Sequence, residues 1–388
     1  MSKTSIRNRT AIAGAYEHPT REAPDKSTAQ LHADVAKGAL EDAGLSVEDV
    51  DGYFTAGPPR DVLSMADYLG LRDLSVVDDT DVGGSSYLFH VGHAAAAVAA
   101  GKCEVALVTM AGKPRTGSMG GSREDDLRPE IPFENVFGTS TVGKYALAAQ
   151  RHMHEHGTTR EQLAEIRVAA SEHAQYNEDA MFQEPVTVED VIESRPISEP
   201  LHLLDCCVIS DGGGAVVVVD SEIAEELERD CVPVLGHGEA VRHHEGGRVD
   251  LTRTAADESG ARAFKEAGVT PNDVDYASIY DSFTITVLET IEDLGFCSKG
   301  EGGEFVEDGA LRAPDGELPF NTDGGGLCNN HPSNRGGMTK IIEAVRQLRG
   351  ETAPEVQVPD CEIALAHGTG GGLTRMGCGT LVMGGGNV

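Results

Sequence analysis

Two well-separated stretches of this chain carry one pattern without a gap. Leu40-Glu-Asp-Ala-Gly-Leu-Ser-Val-Glu-Asp-Val-Asp51 runs parallel to Phe264-Lys-Glu-Ala-Gly-Val-Thr-Pro-Asn-Asp-Val-Asp275. Each reads as a helix end with a glycine stop, a short turn and the start of a strand. A second pair follows in the same order. Ala97-Val-Ala-Ala-Gly-Lys-Cys-Glu-Val-Ala-Leu107 resembles Leu348-Arg-Gly followed, after an insertion, by Cys361-Glu-Ile-Ala-Leu365. One match could arise by chance, whereas two in register argue for a duplicated α/β lobe.

The expected division is an N-terminal lobe over residues 1–225, with its body from Thr10 to Asp220, and a C-terminal lobe over 226–388. Residues 113–200 interrupt the first lobe as an insertion. It opens with a Gly/Ser/Arg-rich loop from Lys113 to Arg123 and continues with helical stretches at Val142–His156 and Arg160–Asn177. The run Ala215-Val-Val-Val-Val219 closes the first lobe as a buried strand, and Gly379-Thr-Leu-Val-Met383 is the expected last strand of the second.

Within the first lobe, Asp81-Val-Gly-Gly-Ser-Ser-Tyr87 lies between the β-like run Leu74–Val77 and an alanine-rich helix reaching Ala100, and a further strand runs on to Thr109. Strand, glycine turn, helix, strand is a parallel α/β unit. A serine at such a turn meets the N–H groups and dipole of a helix N-terminus, which favour a developing anion. The same residues can equally serve only to turn the chain and cap the helix.

Thirty-one Lys and Arg face 64 Asp and Glu, a formal net charge of −33, with the acids spread over the whole chain. Together with long apolar strands this describes a folded protein with an acidic, hydrated surface, not a disordered acidic tail; a high-salt cytoplasm is the expectation, with an ordinary acidic enzyme as the alternative. Such a charge repels nucleic acid and anionic membrane. No apolar run reaches the length of a membrane span, and no signal peptide is evident. None of the eight cysteines forms a Cys-x-x-Cys pair, so free thiols in a reducing cytoplasm are expected. The cluster His152-x-His154-x-His156 has nothing nearby to complete a metal site and is expected on a solvated helix face; no metal is expected.

These features together resemble the thiolase superfamily, over nearly the whole chain. Thiolases carry a nucleophilic cysteine in a Cys-x-Ser-Gly turn, 17 residues before the glycine that ends the helix; counting back from Gly101 reaches Gly84, beside Ser85 and Ser86. The family's Asn-Glu-x-Phe or His-Asp-Cys-Phe motif is matched by Tyr280-Asp281-Ser-Phe283. Its Gly-His-Pro motif is matched by Asn330-His331-Pro332 within Asn321-Thr-Asp-Gly-Gly-Gly-Leu-Cys-Asn-Asn-His-Pro332. His367, at the start of His367-Gly368-Thr-Gly-Gly-Gly372, stands where many thiolases have an acid/base cysteine. Leu204-Asp-Cys-Cys-Val-Ile-Ser-Asp-Gly-Gly-Gly214 matches the family's Asp-Gly-Ala-Ala turn.

The resemblance implies a thiolase fold: two duplicated lobes in five layers, α-β-α-β-α, with their central helices back to back. It also implies acyl-CoA substrates with no bound cofactor. Serine is a weaker nucleophile than cysteine and needs a base within about 3 Å. The expectation is a Ser85-His331-His367 arrangement, in which His331 activates Ser85 and His367 moves the α-proton. Ser86, Gly84, Tyr280, Asp281 and Gly368 would support it. That set resembles the catalytic subunit of haloarchaeal two-subunit β-ketothiolases, which condense or cleave short acyl-CoA as acetyl-CoA C-acetyltransferases. A small OB-fold partner, with or without a zinc ribbon, and a homodimer of this chain within the complex are implied with it. Two alternatives stay open. One is a thiolase-like acyl-CoA retro-aldolase, which lacks the cysteine and uses tyrosines, and to which Tyr280-Asp281 would suit. The other is a non-catalytic acyl-CoA-binding subunit.

Overall fold

A computed structural model describes residues 5–117, 136–137, 140–242, 248–332, 336–371 and 377–385. The first lobe contributes β1 (Thr10–Glu17), α1 (Thr28–Ala43), β2 (Gly52–Thr55), α2 (Val62–Leu69), β3 (Val76–Asp78), α3 (Ser86–Ala99) and β4 (Val105–Gly112). Helices α4 (Thr141–His156) and α5 (Arg160–Ala174) follow, then the short hairpin β5 (Pro196–Ser198) and β6 (Leu201–His202), then β7 (Gly212–Asp220). The second lobe has β8 (Val232–Val241), α6 (Ala256–Ala267), β9 (Tyr276–Ile279), α7 (Thr284–Leu294), α8 (Gly337–Arg349), β10 (Ile363–Gly370) and β11 (Gly377–Gly384).

The repeat seen in the sequence is structural. Helix α1 ends at Gly44 with φ 71°, and α6 ends at Gly268 with φ 70°, both left-handed caps that glycine adopts without strain. Each is followed by one 3₁₀ turn, Val47–Asp49 or Pro271–Asp273. The aspartate that ends each motif then ties two strands together. Asp51 accepts from the N–H groups of Glu104 and Val105 at the start of β4, and Asp275 from those of Glu362 and Ile363 at the start of β10. Strands β2 and β4 are parallel neighbours, as are β9 and β10.

The strand order is β3-β2-β4-β7-β1-β8-β11-β10-β9, the two lobes joining where Ala11 and Ile12 pair with Pro233 and Val232. Period-two alternation sorts the side chains into separate cores. On β4 and β7, Ala106, Val108, Met110, Val216 and Val218 face α3 and α8, while Leu107, Val217 and Val219 face α1 and α2. On β10 and β11, Ala364, Ala366, Leu381 and Met383 join that same α3/α8 core, while Leu365 and Val382 face α6 and α7. Helices α3 and α8 are therefore sandwiched between the two halves of the sheet, with α1/α2 outside one half and α6/α7 outside the other. This is the five-layer arrangement.

One expectation in the insertion is corrected. His152 on α4 does not face solvent. It is fully buried, with Nδ1 2.8 Å from Thr158 Oγ1 and Nε2 3.0 Å from the buried Glu292 on α7. Burial against the second lobe overrides the polar character of the His-x-His-x-His run. The loop Lys113–Arg123 lies outside the described residues beyond Gly117. Among the described residues no helix is long and apolar enough to cross a membrane, and no cluster of His, Cys, Asp and Glu is arranged to hold a metal ion.

Candidate active site

The turn before α3 places Gly84 and Ser85 in a 3₁₀ turn, Gly83–Ser85, at the mouth of the helix. Ser86, the first residue of α3, closes this turn. Its Oγ accepts from Val82 N at 2.9 Å and donates to Gly83 O at 2.7 Å. The Ser85 hydroxyl, fully buried, lies 3.0 Å from the carbonyl of Val82 and 3.1 Å from that of Gly377 on β11. Two carbonyls can only accept, so this hydroxyl is held as a donor. No imidazole nitrogen is among its partners in the described residues.

Gly84 is required by what crosses it. A Cβ there would stand 2.6 Å from Cζ of Tyr280. Tyr280 leaves the end of β9, where the Asn321 side chain bonds both the N–H and the carbonyl of Ile279 at 2.8 Å and so ends the strand. The phenol is buried, and its oxygen is 2.9 Å from Nε2 of His331. Burial pushes the Tyr280 phenol well above its ordinary range, so it stays protonated. Burial also lowers His331 to about 4, with Lys340 adding to the effect and Asp281 opposing it, so the imidazole is neutral. The phenol therefore donates to Nε2 of a neutral ring.

Asp281 sits under this pair. Its carboxylate takes the N–H groups of Gly326 (2.8 Å) and Leu327 (3.0 Å), and pairs with the buried Lys340 ammonium of α8 at 3.0 Å. Gly326 and Gly336 leave room for the His331 ring: a Cβ would lie 3.0 Å or 3.2 Å from its Cδ2. The backbone N–H of His331 donates to Ser210 Oγ at 2.9 Å.

The structure thus brings together Gly84, Ser85, Tyr280 and His331, with Asp281 supporting, and it separates His367 from them. On β10, Gly368 faces α3: a Cβ there would lie 3.0 Å from Cα of Ser85. His367, one residue earlier, must face the other side. Its Nδ1 is 2.9 Å from Thr380 Oγ1 of β11, which is 2.9 Å from Ser259 Oγ of α6. Burial holds His367 neutral, down to about 3. The expectation that His367 shares a site with Ser85 is corrected by strand alternation: the sheet lies between them. Lys340, Ser210 and Asn321 were missed. Asn321 and Ser210 each stood within a recognised motif without being singled out; Lys340 is a polar residue in an apolar helix whose partner comes from elsewhere in the chain.

The comparisons agree with this fold. Residues 238–383 match the family model "Thiolase C-terminal domain-like". An acetyl-CoA acetyltransferase of Methanothermobacter thermautotrophicus is 35% identical, over 93% of this chain and 96% of that protein. A steroid side-chain-cleaving aldolase of Thermomonospora curvata is 36% identical, over 88% and 90%. Among solved structures, the Ltp2-ChsH2(DUF35) aldolase superposes with a TM-score of 0.89 at 33% identity, covering 98% of both chains. On fold, motif order and these similarities, the chain belongs to the thiolase superfamily.

Proposed function

We propose that this chain cleaves carbon–carbon bonds in β-hydroxyacyl-CoA thioesters by a retro-aldol reaction, with Tyr280 and His331 moving the proton. The observation that carries the reading is the contrast between two hydroxyls. That of Ser85 is occupied by two backbone carbonyls with no base beside it, while that of Tyr280 is bonded to a neutral imidazole. Thiolysis needs a nucleophile to hold an acyl group. A retro-aldol step needs none.

The substrate's β-hydroxyl proton passes to the Tyr280 oxygen as the phenol's own proton passes to His331 Nε2. The Cα–Cβ bond breaks, its electrons forming the thioester enolate and leaving a ketone or aldehyde at Cβ. The relay then runs backward and protonates Cα. No net proton is gained or lost, so neither a full phenolate nor a free imidazolium need persist. This suits a pair whose separate ionisations are both made costly by burial. The similarity to two aldolases supports the reading; the equal similarity to an acetyltransferase does not decide it. A DUF35-type subunit, of the OB-fold kind, is the proposed partner, since the structural neighbour is an aldolase of that composition. A homodimer of this chain within that complex is proposed with it.

The test incubates the chain, alone and co-expressed with a DUF35-type subunit, in molar KCl. One substrate is a β-hydroxyacyl-CoA with a tertiary alcohol; the other is acetoacetyl-CoA with free CoA. Release of a ketone and a shortened acyl-CoA is expected from the first, and no acetyl-CoA from the second. Thiolysis of acetoacetyl-CoA, with an acyl group trapped on Ser85, would return the assignment to an acetyltransferase.

A further inference from the structure

Glu17 ends β1 in the first lobe, far in sequence from the His331 loop, and its carboxylate is buried. It receives Asn330 Nδ2 at 2.8 Å and Arg21 Nη2 at 3.0 Å on one oxygen, and Arg346 Nη1 at 3.3 Å on the other. The other end of the Asn330 amide accepts from Ser210 Oγ at 2.6 Å, and Ser210 Oγ in turn accepts the backbone N–H of His331 at 2.9 Å. A carboxylate accepts only, so Asn330 must turn its NH₂ toward Glu17 and its oxygen toward Ser210. Gly212 lets the amide approach: a Cβ there would lie 3.2 Å from both Nδ2 and Oδ1. The donor and acceptor sense of each link is thereby set by the accepting oxygen that Glu17 presents to Asn330.

We infer that Glu17 is a positioning residue for His331, acting through Asn330 and Ser210 to hold the imidazole where Nε2 meets the Tyr280 phenol. The inference rests on the proposed role of the Tyr280–His331 pair. Its physical basis is that displacement of a catalytic group by about 1 Å can cost as much as about a hundredfold in rate. Arg21 and Arg346 fix the Glu17 carboxylate in place, so the chain of contacts is anchored to the first lobe while His331 belongs to the second.

The experiment uses the full chain with ¹⁵N-histidine. The His331 resonances are assigned by their loss in His331→Gln. In wild type, His331 should give the pattern of a neutral ring protonated at Nδ1 and accepting at Nε2. Glu17→Ala should shift or broaden those resonances, and lower kcat for the cleavage about tenfold or more with KM within twofold. Glu17→Gln retains an oxygen that can accept from Asn330 and should restore most of both readouts. If Glu17→Ala does not fold, Asn330→Ala carries the same expectation. When both single variants fold, Glu17→Ala/Asn330→Ala should be no slower than the worse single variant, as for residues in one chain of contacts. Wild-type His331 resonances in the alanine variants would overturn the inference, even if the proposed cleavage is never observed. A Glu17→Gln variant as impaired as Glu17→Ala would also overturn it, because charge and not positioning would then be at work.

Discussion

Tyr280 donates its backbone N–H to the carbonyl of His367 at 2.9 Å, yet the two side chains project to opposite faces of the sheet. One reaches His331 beside the α3 turn; the other reaches Thr380 beneath α6. Two residues joined by a backbone hydrogen bond thus serve different spaces. Two groups that act on one substrate must reach the same cavity, and here the sheet stands between them.

His367→Ala is accordingly expected to cost stability and leave the chemistry intact. The change removes a fully buried ring and its bond to Thr380, a loss of about 2–4 kcal/mol by analogy with other large-to-small core substitutions. Chemical denaturation should show the lower midpoint, while kcat per folded molecule stays within about threefold of wild type. A fall of a hundredfold or more in a fully folded variant would return His367 to the catalytic set.

Tyr280→Phe should lower kcat for β-hydroxyacyl-CoA cleavage by about a hundredfold or more, the scale of positioned acid–base groups. The phenylalanine fills the same space against Gly84, so circular dichroism should be unchanged. His331→Gln should lose a similar factor, and the double variant should lose little further, since the two act as one relay. Near-wild-type turnover by Tyr280→Phe would rule out the phenol as the proton carrier.

For Ser85→Ala the expectation is a modest effect. Its hydroxyl bonds only Val82 and Gly377 carbonyls among the described residues, worth about 1 kcal/mol. A thermal melt should register that loss, and turnover should stay within a few-fold. Loss of all activity, or mass spectrometry of an acylated Ser85 peptide, would show the serine to be a nucleophile.

Acid should destabilise the protein well before carboxylates are the cause. His331 and His237 are held neutral at about 4, and His367 at about 3, by burial. In the unfolded chain each takes up a proton near 6.5. Between those values the unfolded state binds more protons, so stability falls as pH drops below about 6.5, until the folded pKa values are reached. Each such histidine costs about 2 kcal/mol between pH 7 and pH 5. Urea midpoints measured across that range should fall steeply. A flat profile would mean these rings are protonated or solvated in the folded state.

The surface charge leads to a salt prediction. With 64 acids against 31 bases, self-repulsion is unscreened in dilute buffer, where the Debye length is about 30 Å at 0.01 M. The melting temperature should rise markedly from dilute buffer to molar KCl. Equal melts in the two would remove the case for a high-salt protein.

The architecture is legible in the residues alone, because local chemistry encodes it. Glycine stops at Gly44 and Gly268, aspartates Asp51 and Asp275 and alternating apolar strands recur in both lobes, and each works through neighbours a few residues or one strand away. The same locality put Gly84, Ser85, Tyr280 and His331 at the ends of elements the pattern had located, although the catalytic set expected from it was Ser85, His331 and His367, with Gly84 and Tyr280 only in support. Which side chains share a space is settled by packing instead. The face of β10 that His367 takes depends on strand register, where a shift of one residue reverses every side chain. The burial of His152 against Glu292, and the reach of Glu17 to Asn330, depend on contacts between segments 140 and 313 positions apart. No local pattern records such contacts. They exist only once packing has brought the lobes together and excluded water from the groups that must then satisfy one another.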